Sequence, residues 1–168
     1  MLTSSNAQPK PQPGYDGQDR KAAKTQQLKL VVFAIGSLNL ALPIDIVVKI
    51  ANLSAVHGSG LHSVGLTHID DRAVTVVDLH QQLFKTPSQT TVRYILMGQN
   101  DRGDLFGIPV NDTPSLMEVP LTAIRQLPET YRSADTLRIA DRVAVVTQKE
   151  TSTTIFLLDL NCLIPATQ

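Results

Sequence analysis

Apolar residues in this chain come in short runs, each closed by Gly, Pro or Asp, and no segment carries the helical period of a long helix. Runs of this length, rich in Val, Ile and Leu, read as strands. The first, Leu28-Lys29-Leu30-Val31-Val32-Phe33-Ala34-Ile35, stops at Gly36-Ser37, a hairpin turn. Leu38, Leu40 and Leu42 then alternate until Pro43, which has no N–H for a sheet ladder. From Ile44 to Ile50 two patterns compete, a helical turn through Ile44, Val47 and Val48 or alternation through Ile46, Val48 and Ile50. A short turn leading into a strand accommodates both.

A Gly/Ser/His loop around His57-Gly58-Ser59-Gly60 separates these residues from two strands, Val64–Ile69 and Arg72–Val77, joined tightly at Asp70-Asp71. Acidic side chains tolerate such turns. Asp78 can accept from the free N–H groups of a helical turn over Leu79–Phe84, which makes it an N-cap. The pattern recurs with strands at Thr91–Met97 and Asp104–Val110 around a turn at Gln99–Gly103. A Pro-punctuated stretch follows from Asp112 to Pro128, then strands near Arg138–Thr147 and Thr153–Leu158, and a capped short helix from Asp159 to Ile164. Leu42-Pro43-Ile44-Asp45 resembles Ile108-Pro109-Val110-Asn111, and Val76-Val77-Asp78-Leu79 resembles Leu157-Leu158-Asp159-Leu160. These correspondences suggest an imperfect internal duplication. The expected fold is mainly β, two small β-barrels that share an apolar seam and carry short helices. Grooves at such a boundary are natural docking sites.

Residues 1–27, built from Gln, Pro, Ser, Lys and Gly, offer little to bury and are expected to form a disordered tail, leaving 28–168 as the folded domain. Fifteen Lys and Arg balance fifteen Asp and Glu, only 4% of residues are aromatic, and there is no Trp. Such a chain has neither the positive field nor the stacking rings that nucleic acid binding uses. No apolar run reaches the roughly 20 residues of a membrane span, so no direct membrane insertion is expected. The single cysteine and the lack of a signal-peptide pattern in the first thirty residues point to a reducing, cytoplasmic setting.

Motifs for chemistry are sparse. Gly58-Ser59-Gly60 lacks the following Lys and the strand-to-helix context of a phosphate cradle, and no Ser sits in a Gly-x-Ser-x-Gly elbow. No cofactor is expected. Cys162, inside an apolar terminal segment, reads as buried core filler. His57, His62, His68, Asp70, Asp71, Asp78 and His80 combine the side chains that zinc or a general base would use, but no His-x-His or His-x-x-x-His pair anchors a site. Surface or turn histidines are the simpler reading. A metal-dependent hydrolase using His62, His68 and Asp70 is the enzymatic alternative. The features together fit a surface for partners.

Taken in order, several segments resemble the CheW family, the adaptors of bacterial chemosensory arrays. They are Leu40-Ala41-Leu42-Pro43-Ile44-Asp45-Ile46-Val47-Val48-Lys49-Ile50, Val64-Gly65-Leu66-Thr67-His68-Ile69 running to Val76-Val77-Asp78-Leu79, Phe106-Gly107-Ile108-Pro109-Val110-Asn111, Ile124-Arg125-Gln126-Leu127-Pro128 and Ile155-Phe156-Leu157-Leu158-Asp159-Leu160. The resemblance implies two packed SH3-like barrels and a noncatalytic adaptor that joins a CheA-type histidine kinase to the cytoplasmic tip of a chemoreceptor. It places the kinase contact on the first barrel and the receptor contact in a groove near the seam, with Val47, Lys49, Gly65, His68 and Asp70 as the candidate kinase- and receptor-binding residues. For Val47, core packing is the competing reading. Where the family has Asn and then Arg-Gly, this chain has His68 and Asp70-Asp71, and where the family has Glu it has Lys49. Both signs are inverted, so Lys49 and Asp70 are expected to form an attractive pair with its polarity exchanged. A divergent adaptor with its own partner set, in phototaxis or pilus-driven motility, is the corresponding expectation. A component that no longer couples the kinase is the alternative.

Overall fold

A computed structural model describes residues 26–53, 64–132 and 137–164. The expected tail up to residue 25 and the loop bearing His57 and His62 lie outside the described residues. The strands among these residues are β1 Gln27–Ile35, β2 Leu38–Pro43, β3 Val47–Asn52, β4 Val64–Ile69, β5 Arg72–Val77, β6 Tyr94–Gln99, β7 Leu105–Val110, β8 Ser115–Pro120, β9 Ile124–Gln126, β10 Ala140–Gln148 and β11 Thr151–Leu158. Short helices α1 (Leu79–Phe84), α2 (Glu129–Arg132) and α3 (Leu160–Leu163) follow β5, β9 and β11.

The strands form two sheets, β8-β1-β2-β11-β10-β9 and β3-β6-β7-β5-β4. Each encloses its own apolar cluster. Leu30, Val32, Ala41, Val119, Ala144, Ile155 and Leu157 fill the first barrel. Val74, Ile95, Met97 and Leu105 fill the second, with Ala51, Leu53, Ile69 and Val76 against them. A third, larger cluster joins the barrels and draws on Val31, Phe33, Ile35, Leu40 and Leu42 from one side and Val77, Leu96, Phe106, Ile108 and Val110 from the other. β1 explains the pattern. Leu30 and Val32 point into the first barrel, while the alternate residues Val31, Phe33 and Ile35 point into the seam, so the middle of the strand, Leu30–Phe33, is buried on both faces and is apolar without a break. The seam is therefore filled by packed side chains.

The duplication has a structural counterpart. The parallel pair β2–β11 sets Ala41 opposite Leu157, and the parallel pair β5–β7 sets Gly107 opposite Val76. Counting two residues on, Pro43 and Pro109 fall level with the helix caps Asp159 and Asp78. The units are interleaved: the hairpin β1–β2 shares a sheet with β10–β11, and β6–β7 shares a sheet with β4–β5. In this equivalence β8 matches β3, and β10 matches β4.

Both caps operate as expected. Asp78 accepts from the Gln81 N–H at 3.0 Å and Asp159 from the Asn161 N–H at 3.0 Å. The turn after Pro43 is a single 3-10 turn, Ile44–Ile46, feeding β3. The boundaries of several strands differ from those read in the sequence, most of all at β6, which starts at Tyr94 and continues through Gly98 and Gln99, at β10, which starts at Ala140, and at β11, which starts at Thr151. The Pro-punctuated stretch carries two strands. β8 pairs with β1, and β9 pairs with β10 after a 3-10 turn at Leu121–Ala123. Pro114 and Pro120 bracket β8 without interrupting its ladder with β1, which is how short edge strands accommodate proline.

Candidate functional site

The five candidate residues lie on the two edge strands of the second sheet and the turn that follows one of them. β3 begins with a bulge between Val47 and Lys49, where the ladder with β6 shifts register. Past the bulge, Lys49 sits opposite Met97, an interior residue of the second barrel, so its stem starts on the inner face. Its ammonium donates to the Asp70 carboxylate, and the two form an ion pair. Asp70 and Asp71 both occupy left-handed backbone, with φ of 51° and 61°, the geometry that lets a two-residue turn match the twist of the strands it joins. The tight β4–β5 turn thus holds the carboxylate within reach of the opposite edge. Lys49 and Asp70 remain 38% and 71% exposed at their side chains, so solvent screens the attraction to roughly 0.2–1 kcal/mol.

The remaining candidates do not converge on this pair. Val47 is half-buried and packs against the seam cluster, which favours the core-packing reading. Gly65, opposite Val76, lies on the inward-facing register of β4, yet a Cβ built there meets nothing within 4 Å among the described residues. His68 is exposed, opposite Ala73. Beside these residues are exposed apolar side chains: Val48 and Ile50 on β3, and Val64 and Leu66 on β4, with Leu66 72% exposed. Val64 and Leu66 form one wall of a shallow groove floored by Leu105 and Ile164, with Arg72 and Asp104 at its rim.

The described members of the histidine and carboxylate set, His68, Asp70, Asp71, Asp78 and His80, do not assemble into a metal site. Among the described residues no group of three His, Cys, Asp or Glu side chains could hold a metal ion. Asp78 is committed to capping α1, His80 Nδ1 lies 2.9 Å from the Thr86 carbonyl oxygen, and Asp70 is paired with Lys49. Cys162 is exposed rather than core filler. In the single turn of α3, Leu163 is buried, as is Ile164 just beyond it, and this phase turns Asn161 and Cys162 outward. The thiol donates to Asp159 Oδ2 at 3.4 Å. Partial desolvation and this carboxylate hold it above the ordinary cysteine range, against the opposing pull of Arg132. A raised pKa leaves little thiolate, so the exposed thiol is a poor nucleophile.

The CheW-like domain matches residues 29–168 of the chain. A similar solved structure is the scaffolding protein TtCheW from Thermoanaerobacter tengcongensis, with a TM-score of 0.65 at 14% identity, covering 83% of this chain and 88% of that one. No curated protein sequence matches.

Proposed function

This chain belongs to the CheW-like family, whose members are noncatalytic scaffolds, and from that premise we propose that it couples chemoreceptors of the methyl-accepting type to a CheA-type histidine kinase. The chemotaxis adaptor role follows from the family. The finer reading, which partners it holds and through which residues, rests on the ion pair that ties Lys49 of β3 to Asp70 beyond β4. It fixes the spacing of two edge strands that carry exposed apolar residues, which is what a docking face needs. Lys49, Gly65, His68 and Asp70 belong to this face, and Val47 supports it from below.

Relative to the family pattern, the pair has its polarity exchanged. Charges at the rim of an interface govern association rate and discrimination among partners more than total affinity. We assign the chain to a dedicated partner set, as in phototaxis or pilus-driven motility, with receptor and kinase surfaces of matching sign.

A reconstituted phosphorylation assay tests the proposal, using cognate receptor and kinase with and without the protein. Receptor control of phosphorylation that requires the protein supports coupling. Failure to bind the kinase regulatory domain and the receptor tip overturns it. Binding without any change in phosphorylation identifies an array component that does not couple. Equal binding to a CheA-type kinase from a distant species removes the dedicated-partner part.

A further inference from the structure

The two barrels differ at one equivalent place. In the first, β9 lies against the outer edge of β10, with Gln126, Arg125 and Ile124 opposite Arg142, Val143 and Ala144. Ile124 points inward and packs on the barrel core. Through the equivalence fixed by the helix caps, Arg142, Val143 and Ala144 correspond to Gly65, Leu66 and Thr67 of β4. There, among the described residues, no strand pairs with the outer edge. Gly65 faces the barrel interior yet, among the described residues, no atom lies within 4 Å of where its side chain would go, and Leu66 is largely exposed. The ion pair of Lys49 and Asp70 crosses the same gap at one end.

We propose that this gap is a strand-acceptor site, and that a partner polypeptide docks by adding one short antiparallel strand to Gly65–Thr67. The filled counterpart gives the chemistry of the occupant: an extended segment with a branched apolar side chain opposite Thr67, entering the barrel as Ile124 does, and a polar or cationic one opposite Leu66, in the place of Arg125. Free main-chain groups of an edge strand supply the affinity and the inward pocket supplies the selectivity. Charge sets the direction. Lys49 neutralises Asp70, which leaves Asp71 without an ion-pair partner among the described residues. In antiparallel register the amino-terminal end of the added strand lies beside it, so a cation there is favoured. The inference deepens the adaptor reading and rests on it only for the existence of a polypeptide partner.

The probe is the chain's own segment, a peptide of residues 120–128 with a free amino terminus and a carboxy-terminal fluorophore, titrated with the full-length protein. Saturable anisotropy is expected, with amide protection appearing at Gly65–Thr67 in hydrogen exchange. Gly65→Val, whose side chain enters open space, is expected to fold with unchanged melting temperature and bind at least tenfold more weakly. Ile124→Asp in the peptide is expected to do the same, and acetylating its amino terminus to weaken binding a few-fold. No binding, or binding indifferent to Gly65→Val, overturns the proposal. It is also overturned if these amides are already protected in the free protein, which would mean the chain covers its own edge, or if protection grows with protein concentration, which would mean a second copy does. Neither kinase nor receptor is present in this titration, so its failure would leave the coupling of kinase to receptor standing or falling on the phosphorylation assay alone.

Discussion

Lys49 of β3 donates to the carboxylate of Asp70 in the β4–β5 turn, so one ion pair ties together the two outermost strands of the second sheet. No backbone ladder joins those strands among the described residues, and the pair is their link at the barrel mouth. Its energy is small because both groups meet solvent. Lys49→Met and Asp70→Asn are each expected to lower unfolding stability by about 0.2–1 kcal/mol, and the double substitution to cost less than the sum. Asn keeps the left-handed turn conformation accessible, so the comparison isolates the charge. Urea denaturation at low and high salt checks it. A coupling that does not shrink in salt would assign the effect to packing instead.

The turn itself carries strain that can be relieved. Asp71 has a φ of 61°, a region where side chains are disfavoured and Gly is not. Asp71→Gly is expected to raise stability by up to about 1 kcal/mol, and Asp71→Ala to lower it by a similar amount. Thermal melts of the two variants decide the point, with opposite signs expected.

Where local chemistry decides the structure, the sequence was readable. Val64–Ile69, Arg72–Val77 and Leu79–Phe84 match the observed elements because alternation, a two-Asp turn and a capping carboxylate each act within a few residues. β8 and β9 were hidden by Pro114, Pro120 and Pro128, which read as loop until the neighbours β1 and β10 supply the ladders. The division of β1 between barrel and seam was equally hidden, since a strand buried on both faces has no alternation to read. Cys162 was misplaced because one helical turn, unlike a strand, turns adjacent residues outward together. The Lys49–Asp70 contact was reachable only through the family resemblance, because it closes across a gap that no local pattern encodes.

Equivalent caps should have comparable but unequal weights. Asp78→Ala and Asp159→Ala each remove a bond to a helix N–H, a loss of about 0.5–2 kcal/mol. Asp159 also lies 3.7 Å from the Arg132 guanidinium and accepts from Cys162, so its loss is expected to be the larger. The same variant offers a separate readout. With the carboxylate gone, the thiol pKa falls and Cys162 is expected to alkylate faster with iodoacetamide near pH 8 than in the wild type. An unchanged alkylation rate would show that the carboxylate does not govern the thiol.

Two glycines of the second sheet should respond unequally to one added methyl group. At Gly98 of β6, a Cβ would fall 2.8 Å from Cε1 of the buried Phe106 ring and 3.0 Å from the Ile46 carbonyl oxygen. One of these contacts is backbone and the other belongs to a fully buried ring, so neither yields cheaply. Gly98→Ala is expected to cost about 1–3 kcal/mol by overpacking. Phe106→Leu in the same chain should recover part of that loss, because it removes the atoms being struck. Gly65→Ala meets nothing within 4 Å among the described residues, and alanine suits a strand better than glycine, so its stability should stay within about 0.5 kcal/mol of wild type. The comparison separates two reasons for a glycine in a strand, close packing inside the molecule and space kept for something outside it. Denaturant midpoints of the three variants check the first. If Gly65→Ala destabilises as Gly98→Ala does, the space beside β4 is already occupied by the protein's own chain, and the acceptor site loses its physical basis.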